Sequence, residues 1–258
     1  MAMNRTPPPE VRRLLRREVG FGCPVPDCGN PYLYWHHFDP PWREREHHDS
    51  PGMIALCGEH HPKADAGAFT KDQLREFKLR AAERAHEIRG RFDWMRHSLL
   101  AVVGGNFYYE TLVIFQFRGE PAIWFNRDED GYLLLNVRML TAAGQPRMRI
   151  EDNFWINRGE PEDLECPPSG KLLRVKYSNG DALRIEFLIL GSAAAASLRY
   201  AEARPEGWGV SFPITAVEVH EKVGGAHIEF GPRETTLPGQ NVIRNCFIRG
   251  SQVGIALS

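Results

Sequence analysis

Two kinds of hydrophobic periodicity divide the chain into an N-terminal and a C-terminal part. In residues 11–19 (VRRLLRREV), apolar side chains recur at helical spacing with arginines between them, which predicts a short basic amphipathic helix ending at Gly20. Thr70 and Gln73 form a capping-box pattern, which predicts a longer helix that continues to about Ser98, with Gly90 as a possible point of interruption. Between these helices, Pro, Gly and aromatic residues alternate closely, which favours loops and short strands.

From Leu99 onward, apolar and polar residues alternate in short segments separated by turn residues, which is typical of β-strands. Asn179-Gly180 between two such segments predicts a type I′ hairpin turn, whereas the alanine-rich segment 193–203 favours a helix. We therefore expect an α+β protein. Residues 1–98 would form a small domain with helices and short strands, and residues 99–258 an all-β domain built as a sandwich, a barrel or a short solenoid.

The composition narrows the possible classes of protein. Of the 258 residues, 42% are hydrophobic and 25% are charged, as in globular proteins, and the formal net charge of -1 shows no bulk basic surface for nucleic acid. No apolar run approaches the roughly 18–20 residues that span a bilayer. The arginine-containing N-terminus lacks the apolar core of a secretory signal. We expect a soluble, cytoplasmic protein.

Three of the five cysteines lie close together in the N-terminal part, which argues against a disulfide framework and for a metal site. Cys23 and Cys28 flank a proline-containing turn, and Cys57 and His60 flank the start of a predicted short helix. Two close ligand pairs separated by a loop are typical of tetrahedral zinc sites, and a region with few aliphatic residues needs such a cross-link. We expect a Cys3His site for a structural Zn²⁺, with His61 as the competing fourth ligand.

Six of the ten histidines lie between positions 36 and 61. The segments YWHHFDP and PGMIALCGEHH, which contain them, resemble the HNH endonuclease family over about residues 18–72. This resemblance implies a ββα-metal fold around a catalytic divalent ion. It implies His37 as the general base, and His36 and His61 as ligands of Mg²⁺, Mn²⁺ or a second Zn²⁺. His60 is then the fourth ligand of the structural zinc.

Two features of this segment bear on the expected site. Where the family has an asparagine before the apolar run, this chain has Gly52, so either His47 or His48 replaces its function or the site is weakened. Adjacent residues on a strand point to opposite faces. His36 and His37 therefore cannot both face one ion unless the strand is bulged or twisted.

Basic residues flank the motif. Arg43, Arg45 and Lys63 are candidate contacts for backbone phosphates. The arginines of the first predicted helix would extend these contacts into a longer phosphate track, or else they form a solvated helix face paired with glutamates. These arginines are Arg12, Arg13, Arg16 and Arg17.

The resemblance implies a metal-dependent endonuclease that hydrolyses DNA phosphodiester bonds, with double-stranded DNA as its partner. By resemblance alone, a role in prokaryotic genome defence or in a mobile element is suggested. Residues 99–258 have no catalytic spacing and would serve target choice, homo-oligomerisation or control by a partner. One alternative is a zinc-containing module that binds nucleic acid or protein and whose nuclease site has decayed. Another is a β domain that senses a ligand and releases the nuclease.

Overall fold

The computed structural model describes residues 3–81, 87–141, 147–224 and 228–257. Its N-terminal part combines helices with one hairpin. These elements are α1 (Pro9–Glu18), β1 (Leu33–His37), β2 (Met53–Cys57), α2 (His60–Asp65) and α3 (Lys71–Ala81). No helix within the described ranges is both long and apolar enough to cross a membrane.

The hairpin is the centre of this part. β1 and β2 are antiparallel, with Leu33 opposite Cys57 and His37 opposite Met53, and α2 begins three residues after β2 ends. Every residue of β2 is buried because α1 and α3 contribute apolar side chains to the same core, including Leu15 and Leu74. The strand that carries the two histidines is therefore paired to a fully enclosed neighbour, which fixes its position.

The predicted long helix is only partly correct. The capping box is confirmed, since Thr70 Oγ1 accepts from the backbone N–H of Gln73 at 3.2 Å and Gln73 Oε1 accepts from that of Thr70 at 2.9 Å. The expected continuation to Ser98 is wrong from residue 87 onward, because β3 (Glu87–Arg91) is a strand. Residues 82–86 of the predicted helix lie outside the described residues.

Tertiary pairing explains this correction. β3 pairs antiparallel with residues 154–158, and Ile88 points into the core. Gly90 lies against the indole of Trp155, where a Cβ atom would come within 2.4 Å of the ring. Contacts with a distant strand therefore override the local helical charge pattern.

The remaining strands follow from residue 100, and one short helix interrupts them. They are β4 (Leu100–Val103), β5 (Asn106–Tyr109), β6 (Val113–Phe117), β7 (Glu120–Arg127), β8 (Leu133–Arg138), β9 (Met148–Glu151), β10 (Phe154–Arg158), β11 (Asp163–Glu165), β12 (Leu172–Lys176), β13 (Ala182–Leu190), α4 (Ala193–Arg199), β14 (Ile214–Val223), β15 (Ile228–Phe230), β16 (Thr235–Leu237), β17 (Asn241–Ile243), β18 (Phe247–Arg249) and β19 (Val253–Leu257).

These strands form two larger sheets. One has the order β19-β6-β7-β8-β9-β10-β3, and the other follows β11-β12-β13-β14-β15-β16-β17, with β4, β5 and β18 joined to it beside β14. β18 and β19 pair in parallel with β5 and β6. Apolar side chains from both sheets share one core. The chain is thus mixed and β-rich, in keeping with an α+β class. The helix predicted in the alanine-rich segment is confirmed as α4, which lies within the part otherwise expected to be all β.

The hairpin between β12 and β13 is confirmed, but its turn is of another type. Only Gly180 of the pair Asn179-Gly180 has a positive φ, +90°, whereas type I′ requires two such residues. The N–H of Gly180 donates to Tyr177 O at 3.1 Å. This is a longer turn in which the glycine alone takes the left-handed conformation.

An arginine of α1 ties the N-terminal part to β11. Arg16 is buried, and its Nη2 lies 2.8 Å from each carboxylate oxygen of Asp163. Arg13 forms an ion pair with Glu162. These two α1 arginines are therefore held by carboxylates at β11, which is a different environment from the predicted phosphate track. The boundary near residue 99 stays a prediction, and β3 on its N-terminal side belongs to the seven-stranded sheet.

Candidate functional site

Three thiols and one imidazole converge where the hairpin meets α2. Cys23 and Cys28 lie in the loop after α1, Cys57 ends β2 and His60 begins α2. His60 Nδ1 lies 3.2 Å from Cys57 Sγ and 3.5 Å from Cys23 Sγ, and the Sγ atoms of Cys28 and Cys57 are 3.7 Å apart. Tetrahedral zinc, with bonds of about 2.3 Å to sulfur and about 2.0 Å to nitrogen, places its ligand atoms roughly 3.5–3.8 Å apart. The four side chains could therefore hold a metal ion.

Of the three thiols in this group, those of Cys23 and Cys57 are buried and that of Cys28 is half-buried. Burial raises the pKa of the Cys28 thiol, and it does the same to the pKa of Cys23. Both are thus neutral thiols near pH 7 in the metal-free chain. A metal ion must displace their protons to bind, so its affinity is expected to rise with pH.

A second group lies on the same hairpin and helix. Nδ1 of His36 on β1 is 3.1 Å from Oδ1 of Asp65, and Nδ1 of His61 is 3.3 Å from Oδ2 of the same carboxylate. Nε2 of His61 is 3.3 Å from the carbonyl oxygen of Trp35. When Nε2 carries the proton and donates to that carbonyl, the lone pair on Nδ1 is directed to Asp65. These three side chains form a second candidate ligand set.

The contact between His36 and Asp65 fits a shared cation. His36 is buried, which lowers its pKa and keeps the imidazole neutral near pH 7. Its Nδ1 makes no hydrogen bond of good geometry, although Asp65 is so close. Neighbouring ligands bound at about 2.1 Å to one divalent ion lie roughly 3.0–3.4 Å apart. Asp65 was missed in the sequence, where its i+4 spacing from His61 on a predicted helix was the available signal.

His37 contacts a different set of neighbours. Its ring centroid is 4.6 Å from that of Trp42, 5.2 Å from that of His47 and 5.9 Å from that of His48. The residue is 3% exposed, and neither ring nitrogen has a hydrogen-bond partner. Burial, together with His47, His48 and Arg5, lowers its pKa to about 4. The imidazole is therefore neutral near pH 7, with a lone pair that can accept a proton.

One cleft nevertheless joins both faces of this strand. It has a volume of about 450 Å³, and both His36 and His37 line it. Asp65 also lines this cleft. Three basic residues line it as well: Arg5, Arg43 and Lys71. The adjacent histidines thus contact different neighbours, as the strand geometry requires, yet open into one space.

Position 52 has no room for a side chain. A Cβ atom on Gly52 would lie 2.0 Å from the carbonyl oxygen of Asp39. The carbonyl of Gly52 itself accepts hydrogen bonds from the N–H groups of Phe38 and Asp39, at 2.9 and 3.1 Å. The backbone at Gly52 therefore anchors the end of β1 directly.

The imidazole of His47 fills the space beside Gly52, with its Cε1 3.1 Å from the Cβ position. Its Nδ1 accepts from the N–H of Asp49 at 3.1 Å, so in the neutral ring Nε2 donates to the carbonyl of Pro40 at 2.9 Å. His47 thereby bridges the loop between β1 and β2. His48 instead lies 3.0 Å, through Nε2, from the carbonyl oxygen of Asn4.

The basic residues expected to meet phosphates are placed differently from one another. Arg45 pairs with Asp49 at 2.9 Å, and Lys63 pairs with Glu59 at 2.7 Å. Arg43 lines the cleft. Arg5 also lines it, and nothing in the local sequence indicated this, because its position depends on how the N-terminal segment packs.

We compared the chain with known protein families, with curated proteins and with solved structures, and none of them matches it. The function of the chain is therefore inferred from the geometry of the site, together with the resemblance in residues 18–72.

Proposed function

We propose that the N-terminal part is a ββα-metal nuclease unit of the HNH type and that the protein is a metal-dependent endonuclease acting on double-stranded DNA in the cytoplasm. One observation carries this proposal. His36, His61 and Asp65 place their ligand atoms within 4.8 Å of one another, in a group that could hold a metal ion. His36 and Asp65 share a cleft with His37, whose ring nitrogens lack partners.

In this proposal, His37 is the general base. Water attacks phosphorus as the P–O3′ bond breaks, and His37 takes the proton from the water while solvent protonates the departing 3′ oxygen. A pKa of about 4 makes His37 a weak base in the free protein. A phosphate anion beside the imidazole favours its protonated form and raises that pKa during the reaction.

The group formed by His36, His61 and Asp65 would hold the catalytic divalent ion. Mg²⁺, Mn²⁺ or Zn²⁺ there supplies Lewis-acid stabilisation of the phosphate and the leaving oxygen. The chain contributes orientation, since β1 positions His36 while α2 positions His61 and Asp65 four residues apart on one face.

The Cys3His group would hold a structural Zn²⁺. Its ligands Cys57 and His60 bracket the connection from β2 to α2. His61 directly follows His60, so a zinc ion at the first site fixes the helix turn that presents the second. The structural metal therefore orients the catalytic ligands without taking part in the reaction.

A binding module without catalysis is the second candidate. It is favoured by the enclosure of His37, because both of its ring nitrogens are buried and a base must reach water. In that case the cleft binds a nucleic-acid backbone but does not hydrolyse it.

Plasmid nicking tests the proposal. Zinc-loaded wild-type protein is incubated with supercoiled DNA and added Mg²⁺ or Mn²⁺, beside His37→Ala, Asp65→Asn and the control His220→Ala on β14. A positioned general base contributes roughly 10²–10⁴ in rate. We expect His37→Ala to lose about that factor and His220→Ala to cut as fast as wild type. Equal rates in wild type and His37→Ala would overturn the assignment of the base.

A further inference from the structure

The segment before α1 is an ordered arm. The backbone N–H of Met3 donates to Glu46 Oε2 at 2.8 Å, and the carbonyl oxygen of Asn4 lies 3.0 Å from His48 Nε2. Both partners belong to the loop between β1 and β2. Pro7, at the end of the arm, is buried. The arm is therefore tied to the same loop that borders the cleft.

Arg5 lies in the middle of this arm and lines the cleft beside His36 and His37. Arg43, from the loop between β1 and β2, lines it as well. The third basic residue of the lining, Lys71, is neutralised by Asp39 at 2.7 Å. Among the described residues, no carboxylate lies within ion-pair distance of Arg5 or Arg43.

Two unpaired guanidinium groups in one cleft have a clear chemical preference. A guanidinium group is a cation with a planar set of donors that matches two oxygens of a phosphate. Both side chains are exposed. A phosphate can thus bind these side chains at small desolvation cost.

We propose that Arg5 and Arg43 together form a phosphate-binding subsite that holds the nucleic-acid backbone over His36 and His37. This inference rests on the proposed function for its substrate and adds the residues that recognise it. Arg5 makes the N-terminal arm part of the site. The two arginines come from different segments, so both the arm and the loop must be in place for the backbone to be held at two points.

The test measures binding apart from hydrolysis. A fluorescein-labelled DNA duplex is titrated with zinc-loaded His37→Ala protein and with the same protein carrying Arg5→Gln or Arg43→Gln. Arg204→Gln is the matched control, because Arg204 is an exposed arginine outside the cleft lining. Fluorescence anisotropy gives Kd at several salt concentrations. The single variants in the wild-type background are assayed for plasmid nicking in parallel.

We expect Arg5→Gln and Arg43→Gln each to raise Kd about tenfold or more, which is typical for the loss of one charge-assisted contact. The slope of log Kd against log salt should fall by about 0.9 for each phosphate contact removed. Arg5→Lys should recover part of the affinity because it keeps the charge. Arg204→Gln should bind as the parent does.

The outcomes separate this inference from the proposed function. Unchanged Kd and unchanged salt slope in Arg5→Gln would overturn the inference, even if wild-type protein nicks DNA. If wild-type protein does not nick DNA but Arg5→Gln and Arg43→Gln both weaken binding, the subsite is supported and the nuclease proposal fails.

Discussion

Replacing Arg16 with leucine tests how the N-terminal part is held to β11. The side chain of Arg16 is 5% exposed and that of Asp163 is 9% exposed, so solvent screens this pair little. Arg16→Leu introduces an apolar side chain of moderate size in place of the guanidinium group. It leaves Asp163 buried without its partner and with the carboxylate of Glu165 nearby. Breaking a buried ion pair from one side costs about 3–5 kcal/mol.

The adjacent pair of Arg13 and Glu162 supplies a matched control. Its side chains are 43% and 49% exposed, and exposed pairs contribute about 0–1 kcal/mol. Arg13→Leu removes the same type of charge from the same helix. The two variants therefore differ mainly in whether the abandoned carboxylate is buried, and Arg16→Leu should cost several times more free energy of unfolding.

Urea unfolding of zinc-loaded protein, followed by tryptophan fluorescence, gives the free energy of unfolding from the midpoint and slope. The single variant Asp163→Leu and the double variant Arg16→Leu/Asp163→Leu complete a cycle. The double variant should recover much of the loss because no lone buried charge remains at position 163. The buried pair does not hold these parts together if Arg16→Leu lowers the free energy of unfolding no more than Arg13→Leu does. The same conclusion follows if the loss in the double variant equals the sum of the losses in Arg16→Leu and Asp163→Leu.

Three further predictions concern the metal groups and a buried carboxyl group. Wild-type protein purified without added zinc should contain about one Zn²⁺ per chain by metal analysis; Cys57→Ser should lose most of it, whereas Cys246→Ser, outside the group, should keep it. Asp65→Asn should need a higher Mn²⁺ concentration for nicking, and full activity at the wild-type concentration would argue against Asp65 as a ligand. Glu221 is buried, one oxygen accepts from the N–H of Leu140 and the other has no partner, and burial raises its pKa from 4.5 to about 8. The folded protein has its full stability with respect to this group below pH 4.5, where the carboxyl group is protonated, and loses stability as pH rises to about 8. Glu221→Gln should therefore stabilise the protein by up to about 4 kcal/mol at pH 8 and little at pH 4.5. Unfolding measured at both pH values checks this.

Local patterns in the sequence predicted the elements whose causes are local. The periodicity of α1 and the capping box of α3 are set within a few residues, and the spacing of the cysteines and His60 is sufficient to predict a group that could hold a metal. β3 was missed because its conformation depends on pairing with β10. Asp65 was missed although its helix was expected, because its role appears only when His36 is brought beside α2.

The arginines show the limit of charge patterns most clearly. Nothing near Arg16 in the chain indicates that its partner is Asp163, 147 residues away. The same holds for Arg5, whose place in the cleft depends on contacts between the arm and the loop. A sequence gives the number and spacing of charges, whereas the packing of distant segments decides which are neutralised.

The parallel pairing of β18 with β5 and of β19 with β6 has a kinetic consequence. The hydrogen bonds from Cys246 N to Asn106 Oδ1 and from Ser251 N to Thr111 Oγ1 each join residues 140 positions apart. The entropy of closing such loops is lost before the contacts form, so we expect refolding from denaturant to be slow. Until β19 docks, β6 is an open strand edge. Concentrated refolding chains are therefore expected to aggregate through the edge that β19 covers in the native protein.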